Sequence, residues 1–151
     1  MTLLKQVAAI PYVETSGGHQ VLLITTRGRG RWTIPKGWVK PAVANSELAG
    51  REAFQEAGIA GEVDPRPIGS YGYTKRLHIF SWAKCSVEVY LLRAVCQHLS
   101  WPERESRRSL WVPPSEAATM VDEPDLAAIF LGLTATLANQ PDAGQTSDRP
   151  G

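Results

Sequence analysis

Gly37-Trp38-Val39-Lys40-Pro41-Ala42-Val43-Ala44-Asn45-Ser46-Glu47-Leu48-Ala49-Gly50-Arg51-Glu52-Ala53-Phe54-Gln55-Glu56-Ala57-Gly58-Ile59 joins a glycine loop to a short helix whose acids stand one turn apart. At about 100° per residue, Glu52, Gln55 and Glu56 fall at positions i, i+3 and i+4, so their oxygens share one helix face. Hard cations such as Mg²⁺ prefer an oxygen-rich face of this kind. Taken alone, Arg-Glu-x-x-x-Glu on a helix is more often a solvated face laced with intrahelical ion pairs. The surroundings reverse that reading: a loop at Gly37, a helix stop at Ala57-Gly58, and Trp32-Thr33-Ile34-Pro35-Lys36 immediately before the loop.

Working outward, Gln6 to Val13 reads as a strand demoted toward an edge by Pro11. Ser16-Gly17-Gly18 turns it back into the apolar run Val21 to Ile24. Arg27-Gly28-Arg29-Gly30-Arg31 is a basic glycine loop, able to approach a ligand closely. Asn45 or Ser46 is placed to cap the acidic helix, and Leu48, Ala49 and Ala53 form its expected buried side. Gly50 costs roughly 1 kcal/mol relative to alanine inside a helix, which points to close packing against a strand. Further strands are expected around Ile68 to Tyr73, Ile79 to Trp82 and Val87 to Cys96. Ser115 and then Asp122-Glu123-Pro124 start two closing helices, the second running to about Leu137.

The 151 residues suffice for one domain with a core, taken as residues 1–138, followed by a polar, flexible tail at 139–151. A hydrophobic fraction of 43% and a charged fraction of 21% exclude a disordered or fibrous chain. No apolar run approaches the roughly 18 residues of a membrane span. Met1-Thr2-Leu3-Leu4-Lys5 lacks the pattern of a secretory signal, so a cytoplasmic protein without a membrane partner is expected. Cys85 and Cys96 read as free thiols. Five bases and no acid lie between Arg27 and Lys40, whereas residues 41–64 hold five acids against Arg51 alone. Basic flanks around an acidic helix suit metals on the acids with a polyphosphate bridging to the bases.

The quoted stretch resembles the Nudix box, G-x5-E-x7-R-E-U-x-E-E-x-G-U with U aliphatic. The match runs in unbroken register from Gly37 through Arg51, Glu52, Glu56 and Gly58 to Ile59. Val43 and Gln55 stand where the motif has glutamates, and Ala53 fills an aliphatic slot weakly. Trp-x-Ile-Pro-Lys-Gly before the box is also typical of that family of MutT-like hydrolases. The stretch Trp101 to Trp111 with Pro114-Ser115-Glu116-Ala117 is similar to the end of domains related to diadenosine and diphosphoinositol polyphosphate hydrolases. The resemblance implies an α/β/α sandwich, a mixed sheet flanked by helices. It also implies hydrolysis of a pyrophosphate bond in a nucleoside diphosphate linked to another group, with Mg²⁺ or Mn²⁺ as cofactor.

Carried over position by position, the resemblance assigns the metal to Gly37, Glu52, Gln55 and Glu56, with Glu52, Glu56 and Arg51 as catalytic-site residues. Glu103, or Glu105 beside it, is the candidate further ligand or general base. An amide at position 55 leaves the site one negative charge short. Lys36, Arg27, Arg29, Arg31, Lys75 and Arg76 are the candidate phosphate contacts. The partner is therefore a small-molecule nucleotide or polyphosphate, and the chain a monomer or homodimer. A nucleotide-binding or regulatory module with little turnover is the competing reading, motivated by Gln55 and Val43. Nucleic acid is not expected, because Arg27 to Arg31 with Arg107-Arg108 supply too few cations.

Overall fold

The computed structural model describes residues 3–138, and the tail expected at 139–151 lies outside them. The elements are β1 (Leu3–Thr15), β2 (Gly18–Thr25), β3 (Trp32–Thr33), β4 (Lys36–Trp38), α1 (Asn45–Ala57), β5 (Ile59–Val63), β6 (Gly69–His78), β7 (Ser81–Gln97), β8 (Ser109–Val112), α2 (Pro114–Met120) and α3 (Pro124–Ala138). The strands form one mixed sheet whose spine runs β3-β2-β1-β7-β5, with β4 beside β1, β6 beside β7 and β8 beside β2.

Side chains alternate across a strand, and here the alternation sorts the core into two layers. Val7, Ala9, Leu22, Ile24, Tyr90 and Leu92 pack on Leu48, Ala49, Ala53 and Ala57 of α1. Their neighbours Ala8, Ile10, Val21, Leu23, Val89 and Leu91 pack on Ala117, Leu126, Phe130 and Leu133 of α2 and α3. The result is the expected helix/sheet/helix sandwich. Gly50 also behaves as expected, since a Cβ there would stand 3.1 Å from Val63 Cγ2 on β5.

Pro11 does not make β1 an edge strand, because β1 runs parallel to β7 from Leu3↔Lys84 to Tyr12↔Arg93 and lies in the middle of the sheet. On its other side it pairs with β4 at Gln6 to Ala8 and with β2 from Tyr12. The Ala9 amide, which points to that side, is taken by the Pro35 carbonyl at 3.0 Å. Position 11 points the same way, into the interval between β4 and β2, where a missing N–H costs the ladder nothing.

Two helix starts differ from expectation. Ala44 is the N-cap of α1 with no side-chain cap, and Asn45 donates instead to Glu88 Oε1 on β7 at 3.2 Å. Pro113 precedes α2, which takes Ser115 into its first turn. Ile79 and Phe80 form the β6–β7 turn rather than a strand of their own.

Candidate functional site

β4 and α1 build the site because Gly37 lets them touch. Gly37 pairs with Val7 on the α1 face of the sheet, and a Cβ at this position would overlap the Glu52 carboxylate. Gly58 ends α1 in the left-handed region, φ 71°, with its N–H closing on Phe54 O at 2.9 Å. That turn sends the chain straight into β5 and fixes the last helical turn, which carries Glu56.

Glu56 is 6% exposed, an unusual state for a carboxylate. Its Oε1 accepts the Lys36 backbone N–H at 3.4 Å and lies 3.6 Å from Arg107 Nη2. Burial pushes its pKa up to about 8; Arg107 and Lys36 oppose that shift, and the hydrogen bond and charge of Glu52 add to it. Arg107 is the hub. Its Nη2 stands 3.0 Å from Glu103 Oε1, its Nε donates to the same oxygen at 3.1 Å, and its Nη1 donates to the Thr25 carbonyl at 3.1 Å. Thr25 holds the loop a second time, because its Oγ1 accepts the Arg108 N–H at 2.9 Å. The Glu103 N–H donates to the Gln55 carbonyl at 3.1 Å, tying that loop to α1.

Lys36 lies on the opposite face of β4 from Gly37. Burial pushes its ammonium below the usual lysine range, against the pull of Glu56 and Glu123. Its Nζ donates to Thr33 Oγ1 at 3.4 Å and stands 5.4 Å from the Tyr73 ring.

The structure thus brings Gly37, Glu52, Glu56, Glu103 and Lys36 together, with Arg27 at the margin, 3.7 Å from Glu103. Lys75 lies one step out, stacked on Trp38 at 5.4 Å. Arg31 turns to Asp122 at 3.6 Å, Arg76 covers Trp82 at 5.6 Å, and Arg29 is exposed at the loop tip. Arg51 pairs with Glu47 at 3.2 Å on the exposed side of α1, away from the buried carboxylate. Gln55 is exposed and, with Arg51 and Phe54, lines an open trough of about 620 Å³ between α1 and β5. Glu105 is exposed, so Glu103 is the loop acid that faces the site.

Two residues escaped the sequence reading. Arg107 stands four residues after Glu103, a spacing that signals a pair, but nothing in the chain announces that the arginine also meets Glu56. Glu123, just before α3, has a buried Oε1 with no hydrogen-bond partner among the described residues, and its charge acts on Lys36.

Among the described residues no group of three or more His, Cys, Asp or Glu side chains could hold a metal ion alone. Glu52 and Glu56 nevertheless fit a hard divalent cation. They are all-oxygen donors, crowded enough for one to retain its proton, and the Gly37 backbone lies against them. The remaining ligands would be water and phosphate oxygens, as Mg²⁺ prefers.

The proton on Glu56 has a measurable consequence. Folded, the group keeps it to about pH 8, whereas an ordinary carboxyl releases it near 4.5. The contribution to stability is therefore full below the ordinary value and is lost as pH rises toward 8. Without divalent ions, the melting temperature is expected to fall between about pH 5 and 8, and Glu56→Gln to flatten that slope. An unchanged slope in the variant counts against the assignment.

Residues 4–131 match the family model described as the NUDIX domain. The chain is similar to an asymmetrical bis(5'-nucleosyl)-tetraphosphatase of Sus scrofa, 31% identical over 127 residues covering 80% of this chain and 82% of the relative. It is also similar to Nudix hydrolase 21, chloroplastic, of Arabidopsis thaliana, 31% identical over 115 residues covering 74% of this chain and 56% of that protein. Among solved structures, an Ap4A hydrolase binary complex from C. elegans has a TM-score of 0.66 at 20% identity, covering 91% of this chain and 99% of that one. A NUDIX hydrolase from Nitrosomonas europaea has a TM-score of 0.67 at 17% identity, with coverage of 96% and 100%.

Proposed function

Because the chain belongs to the NUDIX family and is a pyrophosphohydrolase, we propose that it works with Mg²⁺ or Mn²⁺ on a nucleoside diphosphate linked to a further group. A dinucleoside polyphosphate is the favoured substrate. The observation that carries this reading is the buried Glu56 beside Glu52 and Gly37 of β4, enclosed by Arg107 and Lys36. The likeness to a tetraphosphatase supports the choice of substrate.

Glu52, Glu56 and the Gly37 carbonyl would hold the divalent ion. When bound, the ion neutralises charge on the anhydride and makes its phosphorus more open to attack. The chain supplies the rest. Glu103 carries an acceptor oxygen at the rim of the site, held in place by Arg107, where it can orient a water molecule and receive its proton. Lys36 presents its ammonium from the sheet, and Arg27 can leave Glu103 for a phosphate oxygen, since the side chain is largely exposed. Lys75 extends the cationic line away from the carboxylates, giving a long anion more than one contact. Gln55 sits at the side of this set rather than its centre, and adds an amide without charge.

A panel of dinucleoside polyphosphates, nucleotide sugars and nucleoside triphosphates, each with excess Mg²⁺ or Mn²⁺, tests the proposal. Dinucleoside polyphosphates are expected to give the highest kcat/KM, with no hydrolysis after chelation. Binding without turnover of any member would instead identify the nucleotide-binding module. Preference for a nucleotide sugar would keep the chemistry but replace the substrate.

A further inference from the structure

The outer end of the β6–β7 hairpin stands apart from the sheet. β6 pairs with β7 alone, and β1 joins β7 only from Lys84 inward, so residues beyond Lys75 and Ala83 form a two-stranded finger among the described residues. Its apex is apolar and open: Leu77 is 49% exposed, Ile79 66%, Phe80 88% and Trp82 57%. Behind the apex come Lys75, Arg76 and Lys84, and no acid occurs between Asp64 and Glu88. Arg76 is fixed there, stacked 5.6 Å from the Trp82 ring with Nη2 donating to Ile79 O at 3.3 Å. Lone surface apolar residues need no explanation, but four around one turn do.

We infer that this finger is a docking element for an anionic lipid surface. The order of chemistry along it decides the occupant. Aliphatic and aromatic side chains lead, the Trp82 indole and Arg76 share the next rung at the depth where tryptophan settles in a bilayer interface, and Lys75 and Lys84 come last, level with headgroup phosphates. A nucleic acid would need the cations in front and spread along a backbone track. A stable protein partner needs roughly 800 Å² on each side, more than a convex two-residue turn offers. A peripheral contact requires no crossing helix, and no described helix is long and apolar enough to be one. Lys75 joins the finger to the site through Trp38, so docking would hold the substrate cleft close to the lipid surface. This inference is independent of the proposed substrate.

Co-sedimentation of the whole protein with phosphatidylcholine vesicles, and with vesicles that also contain phosphatidylglycerol, tests it. Partitioning is expected only with the anionic lipid and is expected to weaken as salt rises. The double variant Ile79→Ser/Phe80→Ser is expected to lower it by more than about tenfold, with hydrolysis of soluble substrate unchanged. Acyl-chain-brominated lipid is expected to quench fluorescence in the wild type and markedly less in Trp82→Phe. The inference is overturned if the wild type stays in solution with anionic vesicles at low salt. It is also overturned if the double variant sediments like the wild type. A variant that loses turnover of soluble nucleotide while vesicle binding is unchanged would make the finger a substrate-binding element instead. Retention on RNA, or self-association abolished by the double variant without vesicle binding, would equally overturn it.

Discussion

Glu56→Gln is expected to lower kcat by about three orders of magnitude with excess metal, while KM moves far less. The substitution keeps shape and the acceptor oxygen for the Lys36 N–H, and removes only the ability to become an anion. Folding is expected to survive it, because the metal-free protein already holds Glu56 protonated at neutral pH. The lost anion is therefore felt when divalent ions and substrate arrive, not before. Steady-state kinetics beside a melting curve separate the two effects. A variant retaining kcat within about tenfold of wild type would remove Glu56 from the chemistry.

Arg107→Leu is expected to have the largest effect on the fold around the site. The guanidinium is 12% exposed and holds Glu103, 17% exposed, beside the buried Glu56, so its removal leaves the Glu103 carboxylate without its partner where little water reaches it. Breaking such an arrangement from one side costs about 3–5 kcal/mol. The Thr25 carbonyl also loses its partner, loosening the loop between β7 and β8. Denaturant unfolding checks the magnitude, and a loss below about 1 kcal/mol would show that the pairs behave as surface pairs. Glu103→Gln added to Arg107→Leu is expected to restore part of the stability, because it removes one uncompensated charge; strict additivity would mean that the two groups are not coupled.

Much of this was legible in the chain. The spacing of Glu52 and Glu56 and the stop at Gly58 are local signals that the structure keeps, with the two carboxylates side by side and α1 ending at Gly58, whereas the loop expected at Gly37 is the short strand β4. Pro11 misled because a proline announces a missing donor but not where a neighbouring strand ends, and β4 and β2 leave their gap at that position. Asn45 misled because a residue able to cap a helix is equally able to reach a distant acid, and Glu88 on β7 offered the better partner. Arg51, carried over as a catalytic-site residue, pairs on the helix with Glu47 one turn earlier. The cluster of Arg107, Glu56 and Thr25 lay beyond local reading altogether, since its members come from β2, α1 and the segment before β8.

The parallel ladder between β1 and β7 sets the order in which a nascent molecule can mature. Leu3 meets Lys84 and Tyr12 meets Arg93, so the first strand made must wait for a segment made far later before its central hydrogen bonds close. Loop-closure entropy makes such distant parallel pairing slow compared with local hairpins. Until it closes, the edge of β1 that faces β7 has no strand to pair with and is open to chaperones and aggregation alike. Completion of the site accordingly waits for β7 and for the segment after it that carries Glu103 and Arg107.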